Sequence, residues 1–370
     1  MSDTCKYFIT GGGTGGHIYP ALAVAEQLGT ENVYYIGNPN NLEYRLATEK
    51  NFKFLPIKIS GMPRKINFQL LKWAIEFISS VVVAFYYLKK YKPVAIFGTG
   101  GYVSAPIIFA AMIEGKTPYM LHDCDSFPGI VTRKTAQKAK TISLAFKNAT
   151  KYIKNQNCVI NGNPIRAEFK NLDKNLARQE MKLDNDTFTI GIMGGSQGAK
   201  SINNSAVEII RELTEKYGLQ IIFQTGTKNY ESVIERLEKI YPNYKSNSKL
   251  TVQPYFENMP TVLKSCDIII SRAGSLSISE ICACGIAPIL IPFPNAAANH
   301  QMLNAQVLEE KGACICIKDS DLNPNILRDE ILNLISTPEK LYYLQQNASS
   351  LAKFDALENI TNQLKSLTSI

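Results

Sequence analysis

The chain has 370 residues, 45% of them hydrophobic, with a net charge of +8 and a pI near 8.9. That length suits two domains of ordinary size, and the positive balance favours acidic partners such as phosphorylated substrates or anionic lipid. No long Lys/Arg block or RNA-binding motif appears, so nucleic acid is set aside; eight scattered cysteines without C-x-x-C, and no secretory signal, point to a reducing, cytoplasmic compartment.

A β-prone run at residues 6–9 leads into Thr10-Gly11-Gly12-Gly13-Thr14-Gly15-Gly16-His17, and residues 21–28 are strong helix formers. A glycine loop between a strand and a helix start offers backbone N–H groups and a partial positive charge, an arrangement suited to phosphate. His17, at its mouth, can take a proton near neutral pH. Gly11, Gly13 and Gly16 satisfy G-x-G-x-x-G, but a dinucleotide site also wants an acid at the end of the second strand. That strand, residues 32–36, ends in Gly37-Asn38. A phosphate or pyrophosphate site is therefore expected, with a nicotinamide or flavin site and a purely structural turn as alternatives.

Further strands are predicted at 54–57, 93–97, 117–121, 141–144 and 158–160. The pattern then restarts at 188–193 with a second glycine loop, Gly194-Gly195-Ser196-Gln197-Gly198-Ala199. Strands at 220–224, 250–252, 267–270, 287–291 and 313–317 follow. Repeated βα units argue for parallel sheets with helices on both faces, and two glycine-loop openings argue for two Rossmann-like domains. Cys282/Cys284 and Cys314/Cys316 form C-x-C pairs, read as small core residues with zinc binding as the alternative.

Residues 61–92 interrupt the alternation. A basic turn at 61–65 precedes an apolar, aromatic stretch with the only Trp, closed by Lys89, Lys90 and Lys92. A transmembrane span is opposed by Lys72 and Glu76. A buried crossover helix and a helix inserted in an anionic headgroup layer remain, and the two are compatible. Trp73, Phe77 and Phe85 are the expected membrane residues.

Five motifs occur in order: residues 11–17, Gly98-Thr99-Gly100-Gly101-Tyr102-Val103-Ser104-Ala105-Pro106, Gly162-Asn163-Pro164-Ile165-Arg166, residues 194–199, and Arg272-Ala273-Gly274-Ser275-Leu276-Ser277-Ile278-Ser279-Glu280. The set resembles the MurG family of bacterial N-acetylglucosaminyltransferases across essentially the whole chain. The resemblance implies an α/β GT-B fold, two Rossmann-like domains with parallel sheets facing across a cleft. It implies an acceptor-binding, membrane-associating domain over 1–162, a UDP-GlcNAc-binding domain over 163–345, and a C-terminal helix in 346–370 packing back on the first domain. The implied reaction moves GlcNAc from UDP-GlcNAc to the C4 hydroxyl of the muramyl sugar of lipid I, with inversion, giving lipid II for peptidoglycan. The implied place is the cytoplasmic face of the bacterial inner membrane, as a peripheral protein. An anionic membrane surface and other cell-wall synthesis proteins are the implied partners, and no metal or organic cofactor is expected.

By the same resemblance, Ser196 and Gln197 meet the donor phosphates, with Asn203 linked to that site. The backbone at Phe256 meets the uracil edge, and Glu280 takes the ribose hydroxyls. Ser275, Leu276 and Ser277 open a helix toward the phosphates, and Arg272 positions that turn. Asn299, His300 and Gln301 read the sugar, and Arg166 lies near the uracil. Thr14, Gly15, Gly16, His17 and Tyr102 form the acceptor side. After residues 119–121 the chain reads His122-Asp123-Cys124-Asp125, where the family carries His-Glu-Gln-Asn. His17 is the first candidate for the base and Asp123 the second, with Asp125 facing the acceptor; the D-x-D leaves a metal site as an alternative. The rival functions are a glycolipid glycosyltransferase acting on diacylglycerol, a non-catalytic sugar-nucleotide module and a UDP-GlcNAc epimerase.

Overall fold

The computed structural model describes residues 6–63 and 67–368. Arg64 and Lys65 of the expected basic turn lie outside the described residues. By its internal contacts the chain divides after Arg166 and again after Ala352, so that the segment from Lys353 onward belongs with the first unit. The sequence reading set these divisions at 162/163 and 345/346.

The first unit runs β1 (Tyr7–Thr10), α1 (Gly15–Leu28), β2 (Val33–Gly37), α2 (Leu42–Glu49), β3 (Lys53–Pro56), α3 (Phe68–Tyr91), β4 (Ala95–Gly98), α4 (Ala105–Glu114), β5 (Tyr119–Asp123), α5 (Ile130–Thr135), β6 (Thr141–Leu144) and β7 (Cys158–Ile160). Its strands form one parallel sheet in the order β3-β2-β1-β4-β5-β6-β7. β1 and β4 are buried along their whole length, as expected of strands covered by helices on both faces.

The second unit runs α6 (Lys174–Glu180), β8 (Thr189–Met193), α7 (Lys200–Glu215), β9 (Gln220–Gln224), α8 (Tyr230–Ile240), β10 (Leu250–Gln253), α9 (Met259–Ser265), β11 (Ile268–Ser271), α10 (Ser275–Cys284), β12 (Ala287–Leu290), α11 (His300–Glu309), β13 (Ile315–Cys316), α12 (Pro324–Ser336) and α13 (Pro338–Ser350). Its parallel sheet has the order β10-β9-β8-β11-β12-β13. The last helix, α14 (Ala356–Lys365), packs in the first unit. Ile360 and Leu364 join the core of Tyr7, Ile9, Ile18 and Leu22, and the Thr361 hydroxyl donates to Gln27 Oε1 at 3.0 Å.

The helix α3 packs one face on the core and leaves another exposed. By length and composition it could cross a membrane, yet it is tied to the segment that precedes it. The Ser80 hydroxyl donates to the Lys58 carbonyl (2.6 Å), the Tyr87 hydroxyl to the Pro56 carbonyl (3.0 Å) and the Trp73 indole to the Ser60 carbonyl (2.9 Å). Its fully buried positions are Ser80, Ala84 and Leu88. Trp73, Phe77 and Phe85, the expected membrane residues, are half-buried. Phe77 sits between Trp73 and Phe109, with ring centroids 5.4 and 5.5 Å away, and Phe85 packs on the core. The outward stripe is instead Phe68, Leu71, Ile75, Ile78 and Val82, 58% to 80% exposed. Spacings of three and four place these five on one face.

Candidate active site

In an open parallel sheet, ligands collect beyond the carboxyl ends of the strands where the strand order reverses. The first sheet reverses between β1 and β4, and the second between β8 and β11. The loops at those points are the two glycine loops together with the turns at residues 99–103 and 272–274.

In the first unit, Gly11 is required by close approach: a Cβ there would lie 1.9 Å from the Thr99 hydroxyl. That hydroxyl crosses beneath the loop to donate to the His17 carbonyl at 2.6 Å. The buried Tyr35 hydroxyl donates to the Gly11 carbonyl at 2.6 Å. Thr14 is exposed, and Gly15 and Gly16 open α1. His17 Nδ1 lies 3.0 Å from the Thr99 carbonyl. A carbonyl only accepts, so Nδ1 carries a proton; in the neutral ring this puts the lone pair on Nε2, the tautomer a general base needs. Tyr102 packs its ring against Gly13 and accepts a hydrogen bond from the Asn41 amide (3.0 Å).

The altered segment lies in β5 and the turn after it. His122 is fully buried, with Nδ1 3.0 Å from Ser143 Oγ and Nε2 3.3 Å from Asn163 Oδ1. Burial lowers its pKa to about 4, so it is neutral at physiological pH. Asp123 is 4% exposed. Its carboxylate accepts the Gly129 N–H at 2.9 Å, ahead of α5, and the Asp125 N–H at 3.3 Å. Burial pushes its pKa up to about 7, against hydrogen bonds from Thr132 and these two N–H groups. Asp125 is half-buried, near the Cys124 thiol. Among the described residues no group of three or more His, Cys, Asp or Glu side chains could hold a metal ion. Burial raises the Cys282 and Cys284 thiols to about 12, as befits core residues.

In the second unit, Ser196 and Gln197 stand exposed at the tip of the loop after β8. The Asn229 amide holds that loop through the Gln197 carbonyl at 2.9 Å. Asn203 is buried beneath, its amide donating to the Thr225 carbonyl at 2.8 Å. The Phe256 N–H donates to Gln224 Oε1 at 3.0 Å. α10 opens with Ser275, Leu276 and Ser277, and Glu280 lies half-buried within it. Arg272 is turned to its own unit: it donates to Asp319 (2.5 Å), Ser201 Oγ (3.0 Å) and the Ile291 and Pro292 carbonyls. These bonds tie the turn after β11 to Ser201 and Asp319, two partners that sequence reasoning missed. Ala298 and Asn299 both adopt left-handed backbone, φ 51° and 57°, a strained conformation for non-glycine residues. Beyond them, His300 Nδ1 donates to the Ala297 carbonyl at 2.8 Å, and Gln301 Oε1 accepts the Phe293 N–H at 2.9 Å. Arg166 is exposed and ends the first unit, outside the unit that carries the other expected donor residues.

A third residue missed from the sequence is Glu43. β2 ends at Gly37 with no acid beside it. The acid comes later, on α2, and folds back fully buried under the first glycine loop.

The glycosyltransferase family 28 N-terminal domain matches residues 7–144, and the family 28 C-terminal domain matches residues 189–360. A relative from Carboxydothermus hydrogenoformans, named UDP-N-acetylglucosamine--N-acetylmuramyl-(pentapeptide) pyrophosphoryl-undecaprenol N-acetylglucosamine transferase, is 34% identical over 98% of this chain and 97% of its own length. One of the same name from Bacillus pumilus is 36% identical, over 98% and 99%. The crystal structure of MurG from Acinetobacter baumannii is similar with a TM-score of 0.78 and 25% identity, over 98% of this chain and 99% of that one. A glycosyltransferase from Rickettsia africae, 11% identical with a TM-score of 0.65 over 99% of both chains, shares the fold. With two parallel α/β units of the GT-B class and relatives matched along its whole length, the chain belongs to the MurG family of N-acetylglucosaminyltransferases, within glycosyltransferase family 28.

Proposed function

We propose that this enzyme moves GlcNAc from UDP-GlcNAc to the C4 hydroxyl of the muramyl sugar of lipid I by a single inverting displacement. The observation that carries the reading is the pair of glycine loops, one at the switch point of each sheet. A reaction whose donor and acceptor both carry pyrophosphate needs two such sites. The loop after β1 takes the acceptor diphosphate, through Thr14, Gly15 and Gly16 at the start of α1, with Tyr102 and Asp125 on the same side. The second unit takes UDP-GlcNAc. Ser196, Gln197 and the first turn of α10 face its phosphates, and Glu280 accepts from both ribose hydroxyls. The backbone at Phe256 meets the uracil, and Asn299, His300 and Gln301 bind the sugar. Asn203 and Arg272 act through the loops they hold.

His17 Nε2 removes the C4 hydroxyl proton as that oxygen bonds to the anomeric carbon and the bond to the β-phosphate oxygen breaks. The negative charge gained by UDP falls on the N–H groups at the starts of α7 and α10. Asp123, buried and holding the turn before α5, ranks behind His17 as base. The stripe Phe68–Val82 on α3, with Lys89 and Lys90 at the helix end, lies in the headgroup layer of an anionic membrane at the cytoplasmic face, where the polyprenyl acceptor is anchored. In an acceptor panel, lipid I is glycosylated and diacylglycerol is not; the opposite result would establish the rival glycolipid activity.

A further inference from the structure

We propose that Glu43 is a positioning residue of the acceptor site, locking the loop after β1 to the loop after β4; this rests on reading those loops as the acceptor side. Glu43 is 0% exposed, and no cationic side chain among the described residues pairs with it. Its carboxylate is satisfied by N–H groups alone. Oε2 faces the Gly13 N–H at 3.4 Å, and Oε1 faces the Asn38 N–H at 3.3 Å and the Asn41 amide at 3.2 Å. The same Asn41 amide group donates to the Tyr102 hydroxyl, and the Tyr102 ring lies against Gly13. The chain of contacts thus closes on itself: Gly13, Glu43, Asn41, Tyr102 and back to Gly13.

Room has been left for this carboxylate. A Cβ at Gly12 or Gly37 would come within 2.8 or 2.9 Å of the Glu43 side chain. Burying an unpaired carboxylate is costly, and it is tolerated only where hydrogen bonds replace its water. Here those bonds come from the glycine loop itself and from the segment that holds Tyr102. The Gly13 N–H is turned inward to Glu43, so it is the residues after it, Thr14 to Gly16, that present the helix start to a diphosphate. Both oxygens of Glu43 act as acceptors. An amide of the same shape must set its NH₂ against one of the three donors, which misplaces the loop without emptying the site.

The test is steady-state kinetics of Glu43→Gln and Asn41→Ala, using a water-soluble short-chain lipid I analogue, with UDP affinity measured on the same samples. Glu43→Gln raises the acceptor KM about tenfold or more, the scale of one unmade bond in a buried network, and leaves the donor KM and UDP affinity unchanged. Asn41→Ala moves the acceptor KM in the same direction by less. An unchanged acceptor KM in a folded Glu43→Gln protein overturns the proposal. If that variant does not fold, an unchanged acceptor KM in Asn41→Ala does so. Gly16→Ala separates the underlying reading: among the described residues the side chain nearest its methyl is Thr14, with Oγ1 at 3.8 Å, ordinary contact. A normal acceptor KM there refutes the acceptor loop itself, whatever Glu43 does.

Discussion

Replacing Asp123 by Asn separates a buried helix anchor from a catalytic base and leaves a signature in the pH dependence of stability. Asp123 has a pKa of about 7 in the fold, against 3.8 for an ordinary Asp. The native state therefore holds a proton that the unfolded chain releases, and stability present below about 3.8 is lost as pH rises through about 7. Neighbouring His122 has the opposite sign: held at about 4 against 6.5, it contributes stability above 6.5 that is lost as pH falls through about 4. Between these limits the two slopes offset each other in the wild type. Asparagine keeps a carbonyl for the Gly129 N–H and titrates nowhere in this range. The stability of Asp123→Asn relative to wild type therefore rises by about 1.4 kcal/mol per pH unit from about pH 4 to about pH 7, then levels off. Taking the difference removes the groups that do not interact with Asp123, His122 among them, and leaves only the part of Asp125 coupled to it. Trp73, the only tryptophan, lies in the same unit, so its fluorescence follows urea unfolding of that unit across the pH series. A relative stability that stays flat from about pH 4 to about pH 7 would overturn this, because it would mean that the Asp123 carboxyl is not held above its usual pKa. The same protein is assayed for turnover: with His17 as base it stays within a few-fold of wild type, whereas a loss of roughly 10²–10⁴ would make Asp123 the base.

His17→Ala loses about 10²–10⁴ in kcat with little change in acceptor binding; full turnover would remove it from the mechanism. Exchanging Phe68, Leu71, Ile75, Ile78 and Val82 for polar residues releases the protein from anionic liposomes at a stability cost within about 0.5 kcal/mol each. Trp73, Phe77 and Phe85, changed singly to Ala, behave the other way: each costs about 1–2 kcal/mol of stability and liposome binding persists. Liposome binding unaffected by the five outward changes would sink the membrane assignment. Glu280→Gln raises the KM for UDP-GlcNAc and moves the acceptor KM little; equal shifts in both would contradict a role at the ribose.

Much of the fold can be read from local sequence, because the buried parallel strands are continuous apolar runs bounded by turns. Ile268-Ile269-Ile270 and residues 220–224 allow little else. Both glycine loops are equally local. What local sequence cannot supply is contact between distant segments and helix phase. Glu43 belongs to the first loop only because α2 turns back under it. Arg272 needs Asp319 and Ser201, which come from opposite ends of the second unit. On α3 nearly every face is apolar, so composition cannot say which one is buried. The sequence reading chose its largest aromatics as the membrane face. The fold instead puts small Ser80 and Ala84 inward, which lets the helix pack closely, and turns the stripe from Phe68 to Val82 outward. β5 reaches Asp123, beyond the predicted end at 121, so His122 and Asp123 are strand residues rather than loop residues.

The proposed transfer needs both pyrophosphate substrates. UDP release from UDP-GlcNAc, measured with and without lipid I and with the lipid product analysed for GlcNAc at C4 of the muramyl sugar, tests it. Release is expected to depend on lipid I, with one UDP per disaccharide lipid formed and a β linkage. UDP release at the same rate without lipid I, or no release with it, would contradict it.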